Sequence, residues 1–254
     1  MTRHIGGIST IQAPAMNPFS LCCTRLPRAV ALAALAVAPL LASAQVFDAA
    51  ADFSSAANPA GPWAYGSTAT LGGSFESYGT PGTVFYGASS WNAGGLTFPG
   101  MYPVVFHNGT AAAIDYGSGA VLPGELGLHP GNDGRLSIVR WTAPQAGSFR
   151  VEATFTRDDV GMTDVHVLRN QLALHAVALD ASHPGSSFSQ TLVLAAGDHL
   201  DFAVGFGADG VFNGDTVDLS LRIAAVPEPA AWAAMLAGLG MLLALPRRRA
   251  TARV

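Results

Sequence analysis

Apolar and polar residues alternate most clearly in the second half of the chain. Phe149, Val151, Ala153 and Phe155 are interleaved with Arg150, Glu152 and Thr154. A period of two puts one row on a buried face and the other in water, the mark of a half-buried strand. The pattern returns at Leu200, Phe202, Val204 and Phe206, and again at Val217, Leu219, Leu221 and Ile223. Leu136 to Trp141 predicts a strand closed by a turn at Ala143-Pro144-Gln145-Ala146-Gly147. Asp164 to Leu168 and Leu172 to Leu179 predict a hairpin about Arg169-Asn170-Gln171. Ser187 to Leu194 predicts a strand leading into Ala196-Gly197-Asp198.

The first half is less regular. From Gln45 to about Val121 the chain is rich in Gly, Ser, Thr, Ala and Pro, with aromatic residues scattered through it. Short apolar pieces at Thr83 to Tyr86, Pro103 to Phe106 and Ala112 to Tyr116 suggest short strands and long loops. Many strands and turns without an amphipathic helix predict an all-β, antiparallel β-sandwich of the jelly-roll kind over residues 45–225.

Two segments fall outside that pattern. Near the N-terminus Arg25 and Arg28 precede an apolar run from Ala29 to Leu41, and Ala42-Ser43-Ala44 follows. Charge, apolar run and small residues in that order form a secretory signal peptide over residues 1–44, with cleavage between Ala44 and Gln45 and export by the Sec machinery. A start at Met16 would give a signal of ordinary length, and Pro39 argues against an uninterrupted anchor. At the C-terminus, Ala230 to Leu245 has no charged residue. As a helix it would span roughly 24 Å at about 1.5 Å per residue, with Trp232 at one interface. Arg247, Arg248 and Arg249 at the other end predict a cytoplasmic C-terminus for a transmembrane helix over residues 230–245.

The tetrapeptide Val226-Pro227-Glu228-Pro229, the apolar segment and the terminal arginines closely resemble the PEP-CTERM sorting signal of Gram-negative bacteria. The resemblance covers residues 226–253. It implies recognition by an exosortase, a membrane-embedded enzyme thought to cut near the PEP motif. It also implies an exported protein, held in the inner membrane before processing and then at the cell surface or in an exopolysaccharide or biofilm matrix. The same tail is also labelled an ice-binding protein C-terminal domain, and no ice-binding activity is taken from that label. A second resemblance lies in Trp141-x-Ala143-Pro144-x-x-Gly147-x-Phe149-x-Val151, with Gly197-Asp198-x-Leu200-x-Phe202-x-Val204. This cadence is similar to the back half of carbohydrate-binding-like jelly-roll modules. It implies a fold and no function.

Charge narrows the partners. The chain has no lysine, and residues 45–225 carry sixteen Asp and Glu against six Arg, near minus ten. That excludes nucleic acid, which needs a basic face. Cys22 and Cys23 both lie inside the signal, where no apolar run precedes them as a lipobox would require, so the exported part folds without disulfides.

Candidate chemistry is sparse. Asp158-Asp159, Asp209, Asp215 and Asp218 supply carboxylates, but a glycoside hydrolase also needs a set separation and a raised pKa. In Asp209-Gly210-Val211-Phe212-Asn213-Gly214-Asp215 the oxygens of Asp209, Asn213 and Asp215 could hold calcium, and Asp, Asn and Gly are equally the ordinary residues of a turn. His129, His166, His175, His183 and His199 form no HExxH or His-x-His pattern, though Asp164-Val165-His166 puts an acid and a histidine on one strand face. Gly117-Ser118-Gly119 lacks the spacing of a nucleophile elbow. Trp63, Tyr65, Trp91 and Tyr102 are candidates for stacking on sugars if loops present them, and core residues if they plug the sandwich. The expectation is a non-enzymatic envelope or matrix protein that binds extracellular polysaccharide and has no cofactor besides the calcium candidate. A secreted polysaccharide-active hydrolase is the alternative.

Overall fold

A computed structural model of the chain describes residues 45–94, 103–227, 235 and 238–240. The chain divides into two units, Met1–Ala42 and Ser43–Val254. The first lies outside the described residues, and all that follows concerns the second.

Sixteen strands run in chain order: β1 (Val46–Asp48), β2 (Trp63–Thr68), β3 (Glu76–Ser77), β4 (Thr80–Val84), β5 (Ala88–Asn92), β6 (Val104–His107), β7 (Ile114–Asp115), β8 (Ala120–Val121), β9 (Leu126–His129), β10 (Leu136–Thr142), β11 (Gly147–Arg157), β12 (Thr163–Arg169), β13 (Leu172–Leu179), β14 (Gly185–Leu194), β15 (His199–Gly205) and β16 (Val217–Val226). The protein is all-β over these residues, and its strand pairs are antiparallel. An eight-stranded sheet runs β14-β11-β16-β9-β6-β5-β4, with β1 also paired to β16. A six-stranded sheet runs β13-β12-β15-β10-β2-β3, and β7 with β8 forms a two-stranded ribbon.

The alternating stretches form the centre of both sheets. In β11 the even-numbered residues from Arg150 to Thr156 are exposed and the odd-numbered ones from Phe149 to Phe155 are buried. Those buried residues, with Leu219, Leu221 and Ile223 of β16, meet Trp63 and Tyr65 of β2, Val139 and Trp141 of β10, and Leu200, Phe202 and Val204 of β15 in one core. Trp141 carries the contact between the sheets: its ring meets Phe47 at 5.3 Å and Phe149 at 5.1 Å, both edge-on. Two sheets facing each other across one core make a β-sandwich. Each large side chain removed from water there contributes about 1.5–3 kcal/mol.

Glycine sets two close approaches. A Cβ on Gly127 would stand 2.3 Å from the ring of its cross-strand neighbour Phe106, and one on Gly66 would stand 2.5 Å from the ring of Phe75. Phe75 thereby lies on the outer face of the six-stranded sheet, against Leu136, Ile138, Leu168 and Ala203.

Among the described residues no helix is long and apolar enough to cross a membrane. Within the apolar segment 230–245 only residues 235 and 238–240 are described, and they are helical. The signal residues Ala42 and Ala44, together with Glu228, Pro229, Arg247, Arg248 and Arg249, lie outside the described residues. Gln45 is the first residue described, and Val226 ends β16.

Candidate functional site

Three of the four aromatic residues considered as loop residues, Trp63, Tyr65 and Trp91, are in strands and face inward. Trp63 is 1% exposed, Tyr65 0% and Trp91 6%. Trp63 and Tyr65 sit two apart in β2, opposite Trp141 and Val139 of β10, so strand geometry turns both toward the core. Their polar tips are used internally: Trp63 Nε1 donates to Asp52 Oδ2 at 3.0 Å and Trp91 Nε1 to the Ser54 carbonyl at 2.6 Å. A ring without a free face cannot stack on a sugar, so these three residues are packing residues. Tyr102 lies outside the described residues. The Trp63-x-Tyr65 alternation was the signal that could have shown this.

Within the eight-stranded sheet, β14, β11 and β16 present an outer face to water. Outward-facing residues of β14, β11 and β16 lie side by side: Ser187, Thr154 and Ser220 form one cross-strand row, and Ser189, Glu152 and Arg222 the next. Beyond Arg222 the row continues to Asp48 of β1. The six residues of the two rows, without Asp48, line with Ala153 and Phe188 a shallow open groove of about 390 Å³. Thr154 and Ser187 share a hydroxyl hydrogen bond at 3.2 Å. Arg150 donates to Glu152 Oε1 at 3.2 Å and also to Ser189. Hydroxyls and fixed charges presented on rigid strands can hydrogen-bond a polar polymer, and rigid elements hold such groups better than loops do.

The acidic residues gather at one end, on the loops after β11 and before β16. Asp158 receives the Tyr116 hydroxyl on Oδ2 at 2.7 Å, and its N–H donates to the Thr216 carbonyl at 3.0 Å. The Gly161 N–H donates to the Gly214 carbonyl at 2.7 Å, lacing the two loops together. Burial pulls the Asp164 carboxyl upward, but hydrogen bonds from His166 and from the Gly207 N–H (2.7 Å) hold it below its ordinary value. The acid and histidine that the sequence put on one strand face are therefore in contact.

Asp215 and Asp218 differ from their neighbours. Asp215 is fully buried, and neither of its carboxylate oxygens has a hydrogen-bond partner; Asp218 Oδ1 is likewise buried and unpartnered. Burial pushes Asp215 up to about 8, helped by the charges of Asp209, Asp164 and Asp159. Burial pushes Asp218 up to about 8 as well, helped by Asp158 and Glu125. Of the other loop donors, Asn213 is exposed, and Asp209 is exposed and closes a local turn by accepting the Val211 N–H at 3.1 Å. Among the described residues no three His, Asp or Glu side chains form a group that could hold a metal ion.

No family model matches the chain, and no curated protein matches it. Solved structures with some likeness include a family 35 carbohydrate-binding module from Clostridium thermocellum, at 12% identity and TM-score 0.29, covering 73% of this chain and 100% of that one. The CBM51 from Clostridium perfringens GH95, in complex with methyl-galactose, has 13% identity and TM-score 0.33, covering 45% and 85%. Rabbit GITRL has 14% identity and TM-score 0.26, covering 36% and 73%. At such scores the likeness is loose, and nothing about this chain's ligand follows from it.

Proposed function

We propose that this chain is an exported, non-catalytic envelope or matrix protein of a Gram-negative bacterium, sorted by an exosortase through Val226-Pro227-Glu228-Pro229. Its sandwich, of the jelly-roll kind, binds extracellular polysaccharide on the outer face of the eight-stranded sheet. The observation that carries the sorting half is where the motif falls: Val226 is the last residue of β16, paired with Ser148 of β11. Pro227 has no N–H to continue the ladder, so the motif begins where the folded domain stops. The polysaccharide half rests on the groove of Ser187, Ser189, Thr154, Ser220, Glu152 and Arg222, because Trp63, Tyr65 and Trp91 are buried.

Mass spectrometry of the protein from membrane and medium of its native host tests the sorting. A mature N-terminus at Gln45 with a C-terminus close to Pro229 supports it. An intact Arg247-Arg248-Arg249 tail in the membrane fraction overturns it and leaves an unprocessed anchored protein.

One observation favours the hydrolase alternative. Asp218, raised to about 8 beside Asp158 and Glu125, has the protonation a general acid needs. Against it, Asp218 Oδ1 is out of contact with solvent, and Asp158 Oδ2 is occupied by Tyr116. Release of reducing ends from a polysaccharide, abolished by Asp218→Asn, would establish the hydrolase in place of the binding protein.

A further inference from the structure

We propose that the Asp215 carboxylate anchors a divalent-cation site of the calcium class, set between the loop after β11 and the loop before β16. An ionised carboxylate with both oxygens out of water and no donor on either is expensive to keep. Proteins satisfy such a group with a hydrogen bond, an ion pair or a metal, or leave it holding a proton that a cation would displace. Neither of the first two is present here. Arg157, the positive group that bears on Asp215, makes no hydrogen bond to it, and the Arg157 Nε is itself buried without a partner. Asp164, another carboxylate drawn into the fold, is by contrast fully engaged with His166 and Gly207.

The surroundings add negative charge. Asp209 and Asp159, one on each loop, both act on Asp215. Gly161 lets the carboxylate pack against its backbone: a Cβ there would stand 2.2 Å from Asp215 Oδ1 and 2.7 Å from the Gly214 carbonyl oxygen. Any residue other than glycine would therefore push into the carboxylate. The donors at hand are all oxygens, which suits a hard cation and not zinc. Calcium takes six to eight oxygens and draws many of them from backbone carbonyls, amides and water. Asp215 and Asp209, expected from the loop sequence, thus stay in the site, and the loop carrying Asp159 and Gly161 joins them.

The test is calorimetric titration and thermal unfolding of the full-length chain after EDTA treatment, with calcium chloride and then magnesium chloride. Three forms are compared: the natural sequence, Asp215→Asn and Asp209→Asn. The natural chain should bind one calcium per molecule, more tightly than magnesium, and melt at a higher temperature with calcium than with EDTA. Asp215→Asn should show no titration and no response to calcium. Asp209→Asn, altered on an exposed residue, should melt as the natural chain does in EDTA and bind about tenfold more weakly, the loss of one charged ligand among several. A natural chain indifferent to calcium, with Asp215→Asn equally or more stable, would overturn the proposal, because an amide then replaces a permanently protonated acid. Where Asp215→Asn does not fold, unchanged calcium affinity in Asp209→Asn overturns it.

Discussion

Arg140 and Asp201 face each other across β10 and β15 in a two-point bond, Nε to Oδ1 at 2.6 Å and Nη2 to Oδ2 at 2.8 Å. The Phe75 ring covers the pair, its centroid 4.1 Å from the guanidinium carbon. The side chains are 17% and 5% exposed, so this is a shielded pair. Breaking such a pair from one side strands a charge in a dry place. Asp201→Ala should therefore cost about 3–5 kcal/mol. Arg140→Lys should also destabilise, by less, because an ammonium cannot make the fork. Urea unfolding of the three forms checks both, and a cost below about 1 kcal/mol for Asp201→Ala would mean the pair behaves as an exposed one.

Trp63 and Trp91 lead to a prediction opposite to the one their loop-like surroundings invite. Trp63→Ala should lose about 3–5 kcal/mol as a large core truncation. Trp91→Phe keeps most of the packing and strands the Ser54 carbonyl, for about 1 kcal/mol. Neither change should weaken polysaccharide binding in the fraction that remains folded. Denaturant curves read beside native affinity gels separate the two effects.

The groove supplies the complementary variant. Arg222 is exposed, and its guanidinium is the positive group of the six residues lining the groove. Arg222→Ala should leave stability within about 0.5 kcal/mol, as exposed substitutions usually do. It should abolish retardation in a gel cast with the host's own exopolysaccharide. Full retention of mobility shift in that variant would remove the outer face from the binding proposal.

The β12–β13 hairpin carries a correctable strain. Asn170 and Gln171 both have positive φ, 47° and 73°. Asn170 suits that region, and its side chain binds Asp198 and the His199 N–H, each at 2.9 Å. Gln171 is exposed and gains nothing comparable. Gln171→Gly makes the Asn-Gly pair that two-residue hairpins prefer and should raise stability by about 0.5–1 kcal/mol in urea.

That hairpin also shows what could be read from residue order. Alternation located β11 and β16, because burying one face of a strand leaves a period of two wherever the other face is wet, and it located β15, buried on both faces, because Leu200, Phe202 and Val204 alternate there with Asp201 and Ala203. Leu172 to Leu179 was delimited by Arg169-Asn170-Gln171, since Asn and a charged neighbour mark a turn locally. The first half resisted because β2 and β5 are buried on both faces over much of their length, which erases the alternation. Gly, Ser and Thr then look like loop where they are strand. The groove was half legible: alternation alone sends Arg150, Glu152 and Thr154 outward. Which residues of β14 and β16 lie beside them depends on register, and register is a relation between distant segments. Asp215 looked like a loop donor in sequence, and only its burial sets it apart from Asp209 and Asn213.

His129 and the two raised aspartates make a test in pH. Burial holds His129 down to about 4, and its ring donates Nδ1–H to the Pro130 carbonyl at 2.7 Å. Its folded pKa lies below the unfolded value of 6.5, so the unfolded chain binds the extra proton between about 4 and 6.5, and this group makes stability rise with pH across that window. Asp215 and Asp218 act with the opposite sign. Their folded pKa of about 8 lies above the unfolded 3.8, so the folded chain holds two protons that the unfolded chain has released. Stability from these groups is present below 3.8 and is lost as pH rises toward 8. The histidine offsets part of that loss up to 6.5 and none of it beyond. In EDTA the melting temperature should therefore fall more steeply from pH 6.5 to 8 than from 5 to 6.5. Asp218→Asn should shallow the upper slope, since one of the two protons is then no longer released. Saturating calcium should flatten it further, because a cation that binds ionised Asp215 favours the folded state as the proton leaves. A melting temperature that climbs between pH 6.5 and 8 without metal would mean that both aspartates are already ionised in the fold, each with a donor at its oxygens.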